Sequence, residues 1–266
     1  MEFLILTFIF ILGLIIGSFL NVVILRFGTD KSIVKGNSGC PKCGKDLKWY
    51  ELVPVLSWVL LRGKCSKCKE KISVQYPLVE LATGLLFVLQ YLQISDLEFV
   101  SLFVLSVSYF IAFVAMSLLV VIFVFDLYHK IIPDTFSFMF GVLGLVYMFM
   151  NFQGWDLLAP VFFFVPFYLL WRISNGTWIG LGDGKLAFGF GGFLGIAYGA
   201  SALVLSFWIG AIFAIGLMLW CRLKSSSKDI TMKTEVAFGP FMIIAFLIVY
   251  FCKIDVTGLA TLLNGF

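Results

Sequence analysis

Apolar residues run almost unbroken near positions 3–25, 77–94, 99–125, 136–152 and 157–171, then through 186–221 and again near 237–252. Runs of about twenty residues are what an α-helix needs to cross a hydrocarbon core of roughly 30 Å. The stretch 186–221 would make a helix of about 54 Å at 1.5 Å per residue, too long for one crossing. A division near Tyr198–Ser201 gives two shorter spans and predicts eight transmembrane helices in all. The first run has no basic segment ahead of it and exceeds the usual apolar length of a secretory signal, so it reads as a span. The expected fold class is an all-α polytopic membrane protein. It forms one membrane domain over residues 1–266, with 26–76 as a polar insert within it.

Composition agrees. Hydrophobic residues make up 61% of the chain and charged ones 13%, and the mean hydropathy is +1.06. A soluble domain usually carries about a quarter charged residues, so a soluble protein is excluded. Charge also tests the span count. With eight spans and the N-terminus outside, the inward segments are 26–76, 126–135, 172–185 and 222–236. They hold eighteen of the nineteen Lys and Arg residues, leaving only Lys253 outside. Treating 186–221 as one span would place Arg222, Lys224, Lys228 and Lys233 on the outer side, against the positive-inside rule. The net charge of +4 is thereby an orientation signal and gives no reason to expect nucleic acid.

The insert contains Cys40-Pro41-Lys42-Cys43 and Cys65-Ser66-Lys67-Cys68, twenty-one residues apart. Two such knuckles supply four thiolates for one tetrahedral Zn2+, a spacing like that of zinc ribbons. Gly44 suits a tight turn. A reducing cytoplasm and the lack of a thioredoxin-like βαβ pattern argue against a disulfide staple or a redox pair. Four Cys ligands leave no open coordination position, so the expected role is structural. Cys221 and Cys252 stand alone at span ends.

Carboxylates at the edge of a span are costly and need a reason. Asp126 ends the apolar run Val120–Phe125. It faces the negative end of the helix macrodipole, so structure alone would not choose Asp there. Asp134 follows Pro133 and reads as an N-cap of the next span. Asp183 lies in Gly180-Leu181-Gly182-Asp183-Gly184-Lys185. It could be only an N-cap, yet its flanking glycines permit close backbone approach by a bound chain. Two carboxylates brought together share a proton, so one can activate water while the other protonates the carbonyl or the leaving amine. That is aspartic protease chemistry, with Asp126 and Asp183 as the expected pair.

These residues resemble the bacterial type IV prepilin peptidases, which combine leader peptidase and N-methyltransferase activities. The resemblance runs through Gly17-Ser-Phe-Leu-Asn21, both Cys pairs, Glu51-Leu-Val-Pro54 with Trp58, and Ser73-Val-Gln-Tyr-Pro77 with Glu80. It continues through Asp126-x6-Pro133-Asp134, Gly180-x-Gly182-Asp183-x-Lys185 and Phe238-Gly-Pro-Phe241. It implies a membrane aspartic protease of the bacterial inner membrane with catalytic Asp126 and Asp183. Gly180, Gly182, Gly184 and Lys185 would support substrate, and Cys40, Cys43, Cys65 and Cys68 would hold zinc. Its partners would be prepilins or pseudopilins, cut on the cytoplasmic side after a short basic leader. The new N-terminus would be methylated with S-adenosylmethionine. No sequence motif marks that cofactor's site, and the Cys loop and its junctions are the expected place. Ala237 stands where the family pattern suggests Pro.

Other readings compete. A presenilin-like protease would need a Pro-Ala-Leu motif, where this chain has Gly239-Pro240-Phe241. A transporter or zinc-linked scaffold would need polar residues at mid-span, and these spans are nearly free of charge. His129 could tune Asp126 but reads more simply as an interfacial polar residue. Lys185 could equally be a basic anchor. Asn21 and Glu80 could bind one another, the loop or substrate. The glycines at 189, 191, 192 and 195 suit close helix packing.

Overall fold

The structure, a computed structural model, describes residues 2–29, 32–36, 38–94, 102–152, 154–223 and 237–263. Nine α-helices are present among these: α1 (Glu2–Arg26), α2 (Leu56–Leu60), α3 (Gln75–Ile94), α4 (Leu102–His129), α5 (Asp134–Asn151), α6 (Ala159–Ser174), α7 (Leu181–Leu223), α8 (Gly239–Cys252) and α9 (Leu259–Leu263). Short 3-10 turns lie at Trp49–Glu51 and Gly154–Leu158. The described β-structure is limited to two isolated antiparallel bridges, Gly39 with Asp46 and Lys64 with Lys71. The basic segment 224–236 lies outside the described residues.

Five helices are long and apolar enough to cross a membrane, among them α1, α5 and Leu181–Trp220 of α7. Their surfaces agree. Phe3, Phe8, Phe138, Phe149 and Ile212 are all exposed. Large apolar side chains left bare in such numbers imply a covering phase other than water.

The chain divides into two compact units, Met1–Val121 and Ile122–Phe266. In the first, α1 packs on α3 at near backbone contact. A Cβ added at Gly13 would sit 2.7 Å from the Gly84 Cα, and one at Gly17 would sit 2.7 Å from the Glu80 Cα. Small residues four apart allow this approach, the usual device where apolar surface alone cannot drive helices together.

In the second unit α7 packs on α5, α6 and α8. A Cβ at Gly191 or Gly192 would meet the backbone of Ala159 or Gly144 at 2.5 Å, so the glycine series does serve close packing. The break in α7 falls at Gly195 (φ 68°, ψ −169°), three residues before the expected division. Asp156 is the cause. Its Oδ1 accepts the Ile196 N–H at 2.7 Å and would be 2.7 Å from any Cβ at 195. The carboxylate caps the returning arm, and only Gly tolerates both the contact and the positive φ. Ser201, at the end of the expected division, is buried within the second arm, donating its hydroxyl to Asp255 at 3.1 Å.

The two arms of α7 run in opposite directions along α8. Phe190 stacks on Phe246 in the middle of α8. Beyond the break, Ser201 reaches Asp255 past the far end of α8, whereas Phe207 contacts Phe238 and Phe213 contacts Phe241 at its start. Besides the five membrane-length helices, α8 is a shorter apolar helix of 14 residues among the described residues. The protein is an all-helical membrane protein.

Candidate active site

Asp126 sits in the last turn of α4, which runs on to His129 rather than ending at Phe125. Helical bonding continues because the Lys130 N–H donates to the Asp126 carbonyl at 2.8 Å, and Lys130 then ends the helix at φ 55°. The Asp126 side chain is 3% exposed, and its Oδ2 makes no well-formed hydrogen bond, the Gly239 backbone N–H being the donor that faces the carboxyl. That oxygen rests on Gly239, where an added Cβ would lie only 2.5 Å away. A buried carboxylate oxygen left without a well-formed hydrogen bond is costly in a purely structural role.

Asp183 lies in the first turn of α7. The helix begins at Leu181, so Asp183 is inside it and is not its N-cap. Its N–H donates to the Gly180 carbonyl at 3.2 Å, and Gly180 lies beside its Oδ2. Ile132 lies between the two acidic segments. Its Cβ would be 2.8 Å from a Cβ on Gly182, and its Cδ1 3.2 Å from one on Gly239. Asp126 and Asp183 are near enough to interact electrostatically. The structure thus brings the two sequence-selected carboxylates together.

The other candidates fall around them. Gly182 packs on Ile132, and Gly184 is buried with its Cα side against Phe167 of α6. Lys185 donates to Asp134 Oδ1 at 2.6 Å. This corrects the reading of Asp134: α5 starts at Asp134 itself behind Pro133, with no side-chain cap bond, and the carboxylate pairs across to α7 instead. His129 is exposed, with its ring 4.3 Å from that of Phe125.

In the first unit the two Cys knuckles have one geometry. The Cys40 N–H donates to the Lys45 carbonyl and the Gly44 N–H to the Cys40 carbonyl; Cys65 with Glu70, and Lys69 with Cys65, repeat the pattern. Gly44 (φ 65°) and Lys69 (φ 61°) occupy equivalent left-handed turns. All four Sγ atoms lie within 4.8 Å of one another, with Cys40 and Cys68 3.7 Å apart. A tetrahedron with Zn–S bonds of about 2.3 Å needs S···S distances of about 3.8 Å, so the donor set fits zinc. N–H groups of Cys68 and Lys67 hold the Cys65 thiol down at about 6. Despite an N–H from Glu70, burial and the neighbouring sulfurs push Cys68 up to about 11, a conflict that a dication relieves.

Sequence reasoning missed three supporting residues. Glu51 is buried and joins the knuckles: it accepts from Lys45 Nζ at 2.7 Å and from Ser66 Oγ at 2.5 Å. Lys45, the Lys48 N–H and Ser66 together hold its carboxyl at about 2. Its place beside Val-Pro in the family-like motif was the available signal. Gly239 was likewise visible only as part of Phe238-Gly-Pro. Ile132 carried no signal beyond standing next to Pro133. Glu80, left open between partners, binds the loop: its Oε2 accepts the Val55 N–H at 2.7 Å, and Ser18 also bonds it. Asn21 donates to the Gly17 and Tyr76 carbonyls.

Residues 11–94 match the Bacterial Peptidase A24 N-terminal domain, and residues 113–215 match the Type IV leader peptidase family. Three relatives, each named prepilin leader peptidase/N-methyltransferase, span most of the chain. The Myxococcus xanthus protein is 38% identical over 223 residues, covering 80% of this chain and 63% of the relative. The Bacillus subtilis protein is 33% identical over 82% of this chain and 85% of its own. The Vibrio cholerae protein is 31% identical over 94% and 98%, respectively. No solved structure is detectably similar. Matches on both halves, the full-length likeness and the paired aspartates agree that this chain belongs to the type IV leader peptidase family.

Proposed function

We propose that the protein removes leader peptides from prepilins or pseudopilins with Asp126 and Asp183 as an aspartic dyad, and methylates the new N-terminus. The observation that carries this reading is the buried Asp126, whose Oδ2 makes no well-formed hydrogen bond and has only the Gly239 backbone against it, held within electrostatic reach of Asp183. Such a pair shares one proton. The ionised member takes a proton from water as it attacks the scissile carbonyl, and the protonated member stabilises the oxyanion and then protonates the leaving amine. Gly180, just ahead of α7 and with only Asp183 Oδ2 and the Gly182 N–H beside its Cα, leaves room next to Asp183 for a substrate backbone. Lys185, paired with Asp134, supports the acidic loop.

The positive-inside rule places segments 26–76, 126–135, 172–185 and 222–236 in the cytoplasm, with eight crossings and the N-terminus outside. Cys40, Cys43, Cys65 and Cys68 would hold one structural Zn2+. For methyl transfer, the candidate place for S-adenosylmethionine is a shallow, open pocket of about 400 Å3 between α1 and the insert. Phe19 and Trp49 offer aromatic faces to adenine and sulfonium, and Ser18 connects the pocket to the Glu80 carboxylate. The cofactor supplies the methyl group when bound. The chain's own contribution is to desolvate and orient the acceptor amine.

The test is mass spectrometry of a prepilin incubated with detergent-purified enzyme and S-adenosylmethionine. Wild type should release the leader and add one methyl, whereas Asp126→Asn and Asp183→Asn should leave the prepilin intact. Cleavage by either variant at the wild-type rate would remove the dyad. Retained methylation in Trp49→Ala and Ser18→Ala would remove the pocket assignment.

A further inference from the structure

Ile131 and Ile132 are adjacent and identical in kind, yet Ile131 is 64% exposed and Ile132 only 8%. The difference lies in what Ile132 touches. The Cβ end of its side chain meets Gly182, directly before Asp183, at a spacing of 2.8 Å to a hypothetical Cβ. Its Cδ1 end meets Gly239, the residue on which Asp126 Oδ2 rests, at 3.2 Å by the same measure. One side chain therefore reaches between the two backbones that carry or support the carboxylates. Both backbones are glycine at the contact, so nothing flexible intervenes.

This side chain is also stiff. Ile132 precedes Pro133, which confines its backbone to extended conformations, and β-branching restricts its χ1. Upstream, the link is tied to Asp126 by the Lys130 N–H; downstream, Asp134 is paired with Lys185 of α7. An interior contact of this kind transmits displacement, because packed atoms leave no slack.

We propose that Ile132 is a positioning residue, a spacer that sets the separation of Asp126 and Asp183 without touching substrate. The inference rests on the dyad reading, which the two Asn variants test by themselves. The other charged or titratable groups near the link are His129, Lys130, Asp134 and Lys185. The last two neutralise one another and are unaltered by a change at 132.

The experiment compares Ile132→Val with Ile132→Leu, and uses Ile131→Val as the control on the exposed neighbour. Val removes Cδ1, and with it the Gly239 contact, while keeping the Cβ contact with Gly182. A displacement approaching 1 Å at reacting groups costs up to about 100-fold. We expect kcat for cleavage to fall about 10-fold in Ile132→Val, with KM within twofold. The interval between the acid and base limbs of the kcat–pH profile should change by about half a unit or more, because coupling between two carboxylates depends on their separation. Methyl transfer to a synthetic mature N-terminal peptide and detergent thermal stability should match wild type, as should everything in Ile131→Val. A fall in kcat with an unchanged pH interval would make Ile132 ordinary packing and overturn the proposal. So would wild-type kinetics, or a rise confined to KM. If Ile132→Leu alone proves unstable, Ile132→Val decides.

Discussion

Replacing Gly239 with Ala separates activity from stability. The new methyl would lie 2.5 Å from Asp126 Oδ2, 3.2 Å from its Cγ and 3.2 Å from Ile132 Cδ1. The first contact is about 1 Å short of a relaxed one, whose carbon–carbon optimum is about 3.5 Å. The carboxylate is the movable partner, since α8 is held by the stacking of Phe246 on Phe190 of α7 and by its edge-on contact with Phe140 of α5. Overpacking of this sort costs about 1–3 kcal/mol. Ala gains back about 0.5–1 kcal/mol over Gly near a helix start by restricting the unfolded chain. The net destabilisation is thus about 2.5 kcal/mol at most. Catalysis has no such offset: displacement of the dyad oxygen by over 0.5 Å exceeds the tolerance of a catalytic constellation and should lower cleavage about 10- to 100-fold. The assay is leader release by purified Gly239→Ala in detergent, with methyl transfer to a mature N-terminal peptide as the internal control. Cleavage within twofold of wild type in a folded variant would show that Asp126 Oδ2 is not the poised oxygen, and the site described above would be wrong.

Other outcomes follow from the same geometry. Metal analysis should find one zinc per chain, lost on Cys40→Ser or Cys65→Ser, with the 26–76 insert then cut rapidly by protease at neutral pH. Glu51, held at about 2 against an ordinary 4.5, contributes stability that is complete above about pH 4.5 and is lost as pH falls toward 2. Glu51→Gln should therefore make the insert more protease-sensitive at pH 7, and the gap from wild type should narrow at pH 3. A gap that widened with acid would refute the sign. Gly195→Ala combines a φ of 68° with a contact of 2.7 Å to Asp156 Oδ1. It should lower the detergent Tm measurably by about 2 kcal/mol or more of stability, whereas Gly216→Ala, which meets nothing, should not.

The legible features were those that each segment settles locally. A membrane span must satisfy its own backbone within one helix, so twenty apolar residues announce it, and α1, α3, α5 and α8 begin and end within about two residues of their expected limits. A Cys knuckle is likewise a short closed turn, and the left-handed Gly44 is written into it. Local physics also marked Asp126 as unusual, because a carboxylate at a helix C-terminus has no structural excuse, and the structure buries its side chain. Tertiary structure decided the rest, because the partners are far apart in sequence. Asp156 chose Gly195 as the α7 turn from 39 residues away, where length alone had suggested Tyr198–Ser201. Lys185 took Asp134 out of its capping role across 51 residues. Gly239 and Ile132 acquired meaning only when folding laid them against Asp126 and Gly182. Apolar pattern shows that a residue will be buried, but the contact it makes depends on which helices pack together, and that is set by the summed fit of the second unit rather than by any one run of residues.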